Sequence, residues 1–221
     1  MNVPGAAEVP AAEEQTGENT EKAVMIEQVR ETVRSIVEGE GSVWAGRGFF
    51  VVDTVCWEAA GRVDEVEVTV DCDGITEQGR PVGVGIDDCT ALSREISDRL
   101  GGVLSPQAEQ EADFALTVMS AGLGQPLRMG RQYRKIMQQA AVQDRLPQVD
   151  ILFRDGRKLE GVVLCGIGYS GGTEEDIPAE IEVMYEVREL LPGKKRKEWV
   201  ERRERIRTAD AKAVSEHFEF K

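Results

Sequence analysis

The chain has 221 residues, of which 41% are hydrophobic and 31% charged, the balance of a globular protein long enough for one large domain or two small ones. Its 27 Lys and Arg face 41 Asp and Glu, a formal net charge of −14. That excludes the simplest nucleic-acid binder, whose phosphate contacts need surplus cations, and favours a basic partner. With His217 the only histidine, a His–His metal cage is excluded as well. The four cysteines (Cys56, Cys72, Cys89 and Cys165) show no C-x-x-C spacing and lie in apolar runs. They are expected as buried, reduced thiols, and no cofactor or metal is expected.

Met1 to Thr20 holds Pro4, Gly5, Pro10 and Gly17 with Glu8, Glu13, Glu14 and Glu18. Low hydrophobicity and one sign of charge predict a disordered acidic tail over 1–20. It lacks the basic and apolar regions of a secretory signal, and no stretch of the chain has the apolar length of a membrane span. The expectation is a cytoplasmic protein without membrane contact.

Glu21 to Glu38 carries Met25, Val29, Thr32, Val33 and Ile36 at helical spacing and ends at Gly39 and Gly41. Phe49 to Trp57 is β-branched and aromatic, a strand. Val66, Val68, Val70 and Cys72 alternate with Glu67, Thr69 and Asp71, which predicts a strand with one wet face. A loop follows from Asp73 to Gly85. A second helix presents Ile86, Cys89, Leu92, Ser93, Ile96 and Leu100 on one face, with Gly85 or Asp87 as its cap. Phe114, Leu116 and Val118 then alternate as a third strand. The order helix, strand, strand, helix, strand predicts an α+β sandwich over 21–124, with one sheet and helices on one face.

Charge divides the chain at the turn-rich segment Ser120 to Pro126. Met1–Gly124 carries 8 basic and 24 acidic residues, a net of −16; Gln125–Lys221 carries 19 and 17, a net of +2. Two modules with different surfaces are expected. In 125–221, Gly130 to Gln139 reads as a short helix. Val149, Ile151 and Phe153 form a strand, Asp155-Gly156 a hairpin turn, and Leu159 to Leu164 the return strand, with Gly161 at a bulge. A Gly-rich loop is expected from Gly166 to Asp176. Ile181, Val183, Tyr185 and Val187 make another strand, and Trp199 to Arg207 with Phe218 and Phe220 could supply closing strands. Four or five short strands predict a small open barrel.

The candidate chemistry is thin. Asp87-Asp88 could serve as acid and base, but neighbours on a helix point apart, and first-turn acids suit the helix dipole. Ser93 could be a nucleophile, but the only imidazole is His217 among Glu216 and Glu219, so a hydroxyl bonded back to its own helix is preferred. A hydrolase built on Asp87, Asp88 or Ser93 has no substrate signal. Gly83-Val84-Gly85 lacks the third glycine of a dinucleotide loop. Gly166-Ile167-Gly168 and Gly171-Gly172 lack a Gly-Lys-Ser/Thr ending. The element order of the first module fits a KH-like RNA binder, but no G-x-x-G loop with a basic edge is present. A general RNA-binding module of KH-plus-Sm type is the alternative function.

Two surfaces remain as partner candidates. Ser120, Gly122, Leu123, Pro126 and Arg128 lie in a rigid, sharply shaped connection with an exposed leucine, either a fixed corner or a docking edge. Lys194, Lys195, Arg196 and Lys197 form the densest basic run, either a solvated loop or an RNA contact. Arg202, Arg203, Arg205 and Arg207, interleaved with Glu201 and Glu204, and Arg128, Arg131, Arg134 and Lys135 are further basic clusters.

Asp87-Asp88-Cys89-Thr90-Ala91-Leu92-Ser93-Arg94-Glu95-Ile96-Ser97 resembles the D-D-C-x-x-x-S-R-x-(I/L)-S helix of the ribosome maturation factor RimP family. Phe114 to Leu127 resembles the strand and S-S-P-G-L-D-R-P-L segment of that family, with Met119, Ala121, Gly124 and Gln125 in place of Ser, Pro, Asp and Arg. The resemblance implies a cytoplasmic, non-enzymatic protein, with an α-β-β-α-β domain followed by a small SH3-like or Sm-like β-barrel. It implies association with the free small ribosomal subunit during assembly, and contact with the basic small-subunit ribosomal protein number twelve and nearby ribosomal RNA.

Overall fold

A computed structural model describes residues 12–59, 62–104, 113–169, 176–190 and 192–218. Among them the fold is mixed α+β, with four α-helices and two sheets. Two compact units are resolved. One comprises residues up to Val70 together with Val84–Ser120; the other comprises Asp71–Gly83 together with residues from Ala121 onward.

In the first unit, helix α1 spans Ala12–Glu38. It begins inside the segment that the sequence assigned to the tail; residues 1–11 lie outside the described residues. Val29, Val33, Ile36 and Val37 are its fully buried stripe. The short helix α2 (Val43–Gly46) is capped by Ser42, whose hydroxyl oxygen accepts the N–H groups of Trp44 and Ala45. Strands β1 (Phe49–Ala59) and β2 (Arg62–Cys72) are hydrogen-bonded neighbours, and the two residues between them are too few for a parallel crossover. Helix α3 (Ile86–Leu104) then carries the chain back to β3 (Ala115–Ser120), which pairs parallel with β2 from Glu65↔Ala115 to Val70↔Ser120.

Val66, Val68 and Val70 of β2 and Leu92, Ile96 and Leu100 of α3 are wholly buried. This face alone removes six large apolar side chains from water, at roughly 1.5–3 kcal/mol each. Ile86, expected on the buried face of α3, is instead 86% exposed. It is the first helical residue, ahead of the turn where packing begins.

In the second unit, helix α4 spans Gly130–Val142, three residues longer than the sequence reading. Strands β4 (Gln148–Phe153), β5 (Lys158–Gly168), β6 (Glu180–Glu189), β7 (Glu198–Arg207) and β8 (Ala211–Glu216) form an antiparallel sheet in the order β7-β6-β5-β4-β8. Tyr133 and Ile136 of α4 pack with Val149, Ile151, Leu164, Ile181 and Val183 in its core.

Two expectations are corrected. The Gly-rich loop does not begin at Gly166, because β5 runs on through Gly168 opposite Glu180–Glu182, where small residues pair without crowding. The closing strand is Ala211–Glu216 rather than Phe218 or Phe220. Phe218 follows β8, and Phe220 lies outside the described residues. The bulge at Gly161 is present. The β4–β5 register slips between Val149 and Ile151, and Gly161 has φ +62°. Asp150 Oδ1 accepts its N–H at 2.8 Å.

Residues 71–83 are tied to α4 by charge. The Arg131 guanidinium forks onto the Asp73 carboxylate, with Nη2 2.9 Å from Oδ1. Asp71, only 6% exposed, takes the Lys135 ammonium and a 3.5 Å contact from Gln132. Two of the cations that the sequence offered to a partner are therefore engaged within the unit.

Candidate functional site

An open groove of about 640 Å³ lies in the first unit. It lies between the first turns of α3 (Ile86, Cys89, Thr90, Ser93, Arg94) and the edge strand β3 (Leu116, Thr117, Val118, Ser120). These two segments, separated by some twenty residues of chain, hold the helix and strand patterns singled out in the sequence. The fold brings them together because the β2–α3–β3 crossover lays α3 beside the strand that follows it. Cys89 reaches the backbone of Ser120, and burial pushes its thiol pKa up.

Within that helix start, Asp88 has a structural task. Gly85 is the cap residue, and its N–H donates to Asp88 Oδ2 at 3.0 Å. Arg47 Nη2 lies 2.9 Å from Asp88 Oδ1, and its guanidinium stacks on the rings of Trp44 and Phe49. Partial burial alone would raise the Asp88 carboxyl. The Gly85 N–H and the Arg47 charge outweigh it and hold the group below the usual carboxylate range. Asp87 is exposed.

The hydroxyl that bonds back to the helix is that of Thr90, donating to the Ile86 carbonyl at 2.9 Å; Ser93 lines the groove instead. His217, in the second unit, sets Nδ1 2.8 Å from Asp150 Oδ1 and packs beside Gly161. All four cysteines are free thiols, but only Cys72 is fully buried; Cys56, Cys89 and Cys165 are partly accessible.

The connection that follows β3 is sharply built. Gln125 N–H donates to the Gly122 carbonyl at 3.2 Å, and Gly124 has φ +74°. A four-residue turn with positive φ at its third position is the geometry that favours glycine. The glycine at 124 thus follows from the backbone. Leu123 sits at the turn apex, 72% exposed. Pro126 bridges to Ser215, Leu127 N–H donates to the Val214 carbonyl at 2.7 Å, and the Arg128 N–H is held by Gln132. Pro126 and Leu127 are thus held by β8 and Arg128 by the start of α4 in the second unit, with Gly122 and Leu123 in the turn before them, whereas Ser120 lines the groove of the first.

Lys194, Lys195, Arg196 and Lys197 sit at the exposed tip joining β6 and β7, after a turn at Gly193 with φ +80°. Lys194 pairs with Glu198 at 3.0 Å. Sequence reasoning missed a second gathering. The β4–β5 turn brings Arg154 and Arg157 to Arg205 and Arg207 around a cleft of about 350 Å³. That cleft largely neutralises itself, with Arg157 on Asp155 and Arg207 forked onto Asp210. Its sequence signals were the Asp155-Gly156 hairpin, which fixes where the first two arginines turn, and the Arg202–Arg207 run, which holds the other two; that they meet was not legible. Among the described residues no group of three His, Cys, Asp or Glu could hold a metal ion, and no helix is long and apolar enough to cross a membrane.

No protein-family profile matches the chain. Similar proteins were found by direct comparison. The "Ribosome maturation factor RimP" of Chlorobium limicola is 32% identical over 109 residues, 49% of this chain and 56% of the relative. That of Chlorobium phaeobacteroides is 31% identical over 111 residues, 50% and 58% of the two chains. That of Prosthecochloris aestuarii is 42% identical over 84 residues, 38% and 42%. The matches cover about half the length of these relatives. Several such similarities support the ribosome maturation factor RimP family for this chain.

Proposed function

We propose that the protein is a ribosome maturation factor that binds the free small ribosomal subunit and assists its assembly, acting by binding alone. The observation that carries this reading is the similarity to several RimP proteins. Its partners would be the basic small-subunit ribosomal protein number twelve and nearby ribosomal RNA, in the cytoplasm. The net charge of −16 over Met1–Gly124 suits a cationic protein, and a near-neutral remainder with a basic tip tolerates RNA. We read the first unit as the α-β-β-α-β sandwich of that family. The five antiparallel strands with a bulge at Gly161 we read as its SH3-like or Sm-like barrel.

For contacts with the partner protein we propose Ser120 in the groove, and the turn of Gly122, Leu123, Pro126 and Arg128. A rigid turn presenting one bare leucine binds without the entropic cost of ordering a loop. Lys194 to Lys197 are the proposed RNA contact. The test is sedimentation of the full chain with free small subunits and with complete ribosomes at rising salt. Co-migration with free subunits only, weakening with salt, is expected. Equal co-migration with complete ribosomes refutes the assembly role. Tight binding to any naked RNA, without preference for subunits, would favour the general RNA-binding alternative.

A further inference from the structure

We infer that the β6–β7 tip recognises single-stranded RNA by stacking one unpaired base on Trp199, with the phosphates on the tip side of that base held by the tip cations. This rests on the RNA contact proposed above and names the class of RNA and the reading residue. Trp199 is 63% exposed on β7, directly opposite Arg188 in the β6–β7 register. The Arg188 guanidinium lies 5.4 Å from the indole centroid. An indole so exposed on the outer face of a strand gains nothing from the core. With a guanidinium beside it, it is a platform for a base.

Charge selects the occupant. From Arg188 to Arg202 the chain holds six cations and three acids. Each acid is already engaged: Glu189 by Arg202, Glu198 by Lys194 and Glu201 by Arg203. Lys195, Arg196 and Lys197 make no ion pair among the described residues, so the surplus sits at the tip beside Trp199. Past Trp199 the strands set Glu186 opposite the Arg203-paired Glu201, and Glu186, which makes no ion pair among the described residues, repels phosphate. A strand of RNA is therefore held on the tip side of the indole and turned away beyond it, a footprint of a few nucleotides.

Duplex RNA keeps its bases stacked inside and offers no face to the indole, so it gains only the phosphate contacts. The Arg154, Arg157, Arg205 and Arg207 cleft lacks both features: its guanidiniums are largely paired, and its one ring, Phe153, is buried.

The experiment titrates the full chain with a fluorescein-labelled single-stranded RNA of about ten nucleotides, a length within the usual single-strand site sizes, and with the matching duplex. The single strand is expected to bind more tightly. Trp199→Ala should weaken it roughly 5- to 150-fold, the range measured for removal of one base–aromatic stack. Trp199→Phe should retain most of the affinity. Trp57→Ala, at the other exposed tryptophan, should change nothing. Combined Lys195→Gln, Arg196→Gln and Lys197→Gln should flatten the salt dependence by about 0.7 in log–log slope for each phosphate that is no longer neutralised. Trp199→Ala should leave that slope unchanged.

Equal binding of duplex and single strand, or Trp199→Ala binding like wild type, overturns the inference. If wild type and Trp199→Ala both co-sediment with small subunits while neither binds free RNA, stacking is refuted and the maturation reading stands. If single-strand binding follows the pattern above but subunits are ignored, the maturation reading fails instead.

Discussion

Replacing Asp88 by Ala separates a structural carboxylate from a catalytic one. The side chain holds the Gly85 N–H at 3.0 Å and the Arg47 guanidinium at 2.9 Å, and is 18% exposed. Removing the cap hydrogen bond costs about 1 kcal/mol. Removing a first-turn charge from the helix dipole costs about 0.3–1 kcal/mol. A pair whose arginine is 42% exposed is screened and adds about 0.2–1 kcal/mol. Asp88→Ala should therefore destabilise the first unit by about 1.5–3 kcal/mol. Asp87→Ala, at an exposed first-turn position without these partners, should cost only the dipole contribution of about 0.3–1 kcal/mol.

The pH dependence carries a sign. Asp88 is depressed in the folded state, so its contribution is complete above the unfolded value of about 3.9. It fades as pH falls through the lower folded value. Urea unfolding followed by circular dichroism at pH 7 and near pH 3 reads both quantities. In the same assay, Arg47→Met with Asp88→Ala in a double-mutant cycle should return a coupling of about 0.2–1 kcal/mol. If Asp88→Ala unfolds like wild type, or if the gap to wild type persists undiminished in acid, the capping account is wrong and a functional carboxylate must be reconsidered.

Three further outcomes are expected. Gly161→Ala forces a side chain to φ +62° and sets its Cβ 3.4 Å from His217 Nε2, for a destabilisation of about 1–2 kcal/mol in urea unfolding. Gly156→Ala, at φ +88° in open space, isolates the dihedral strain, and His217→Ala should remove any excess of the first over the second. Lys135→Met strips the ammonium from buried Asp71 and should cost about 3–5 kcal/mol; a change below about 1 kcal/mol in the same melt would show that the charge is not needed there. Burial raises the Glu216 carboxyl despite Lys135 and Arg145, so stability is lost as pH rises from the ordinary carboxylate range through that raised value, and the loss is complete above it. Glu216→Gln should therefore shift the urea midpoint upward at pH 7, and the gain should vanish below about pH 4, the ordinary range of the group.

The parts legible in the sequence were those governed by neighbours along the chain. The periodicity of Val29, Val33 and Ile36, the alternation of Val66, Val68 and Val70, the Asp155-Gly156 turn and the Gly161 bulge all follow from local backbone geometry and one-sided burial, and each is present. The helix and strand patterns that resemble RimP were legible for the same reason, since each is a continuous run. Element ends were less so. The start of α1 and the run of β5 through Gly168 depend on packing and pairing that composition does not encode.

Pairing across distance was settled only by the fold. Sequence alone determined two modules of unlike charge, most of their elements, and a rigid turn before a basic tip, because hydrophobic period, glycine and net charge are local or additive properties. Only tertiary structure decided that Asp88 serves Arg47 and Gly85, that Asp71 and Asp73 engage Lys135 and Arg131, and that Trp199 stands bare beside Arg188 and the unpaired cations. Which charges remain for a partner depends on who neutralises whom through space, and that is a sum over three-dimensional neighbours.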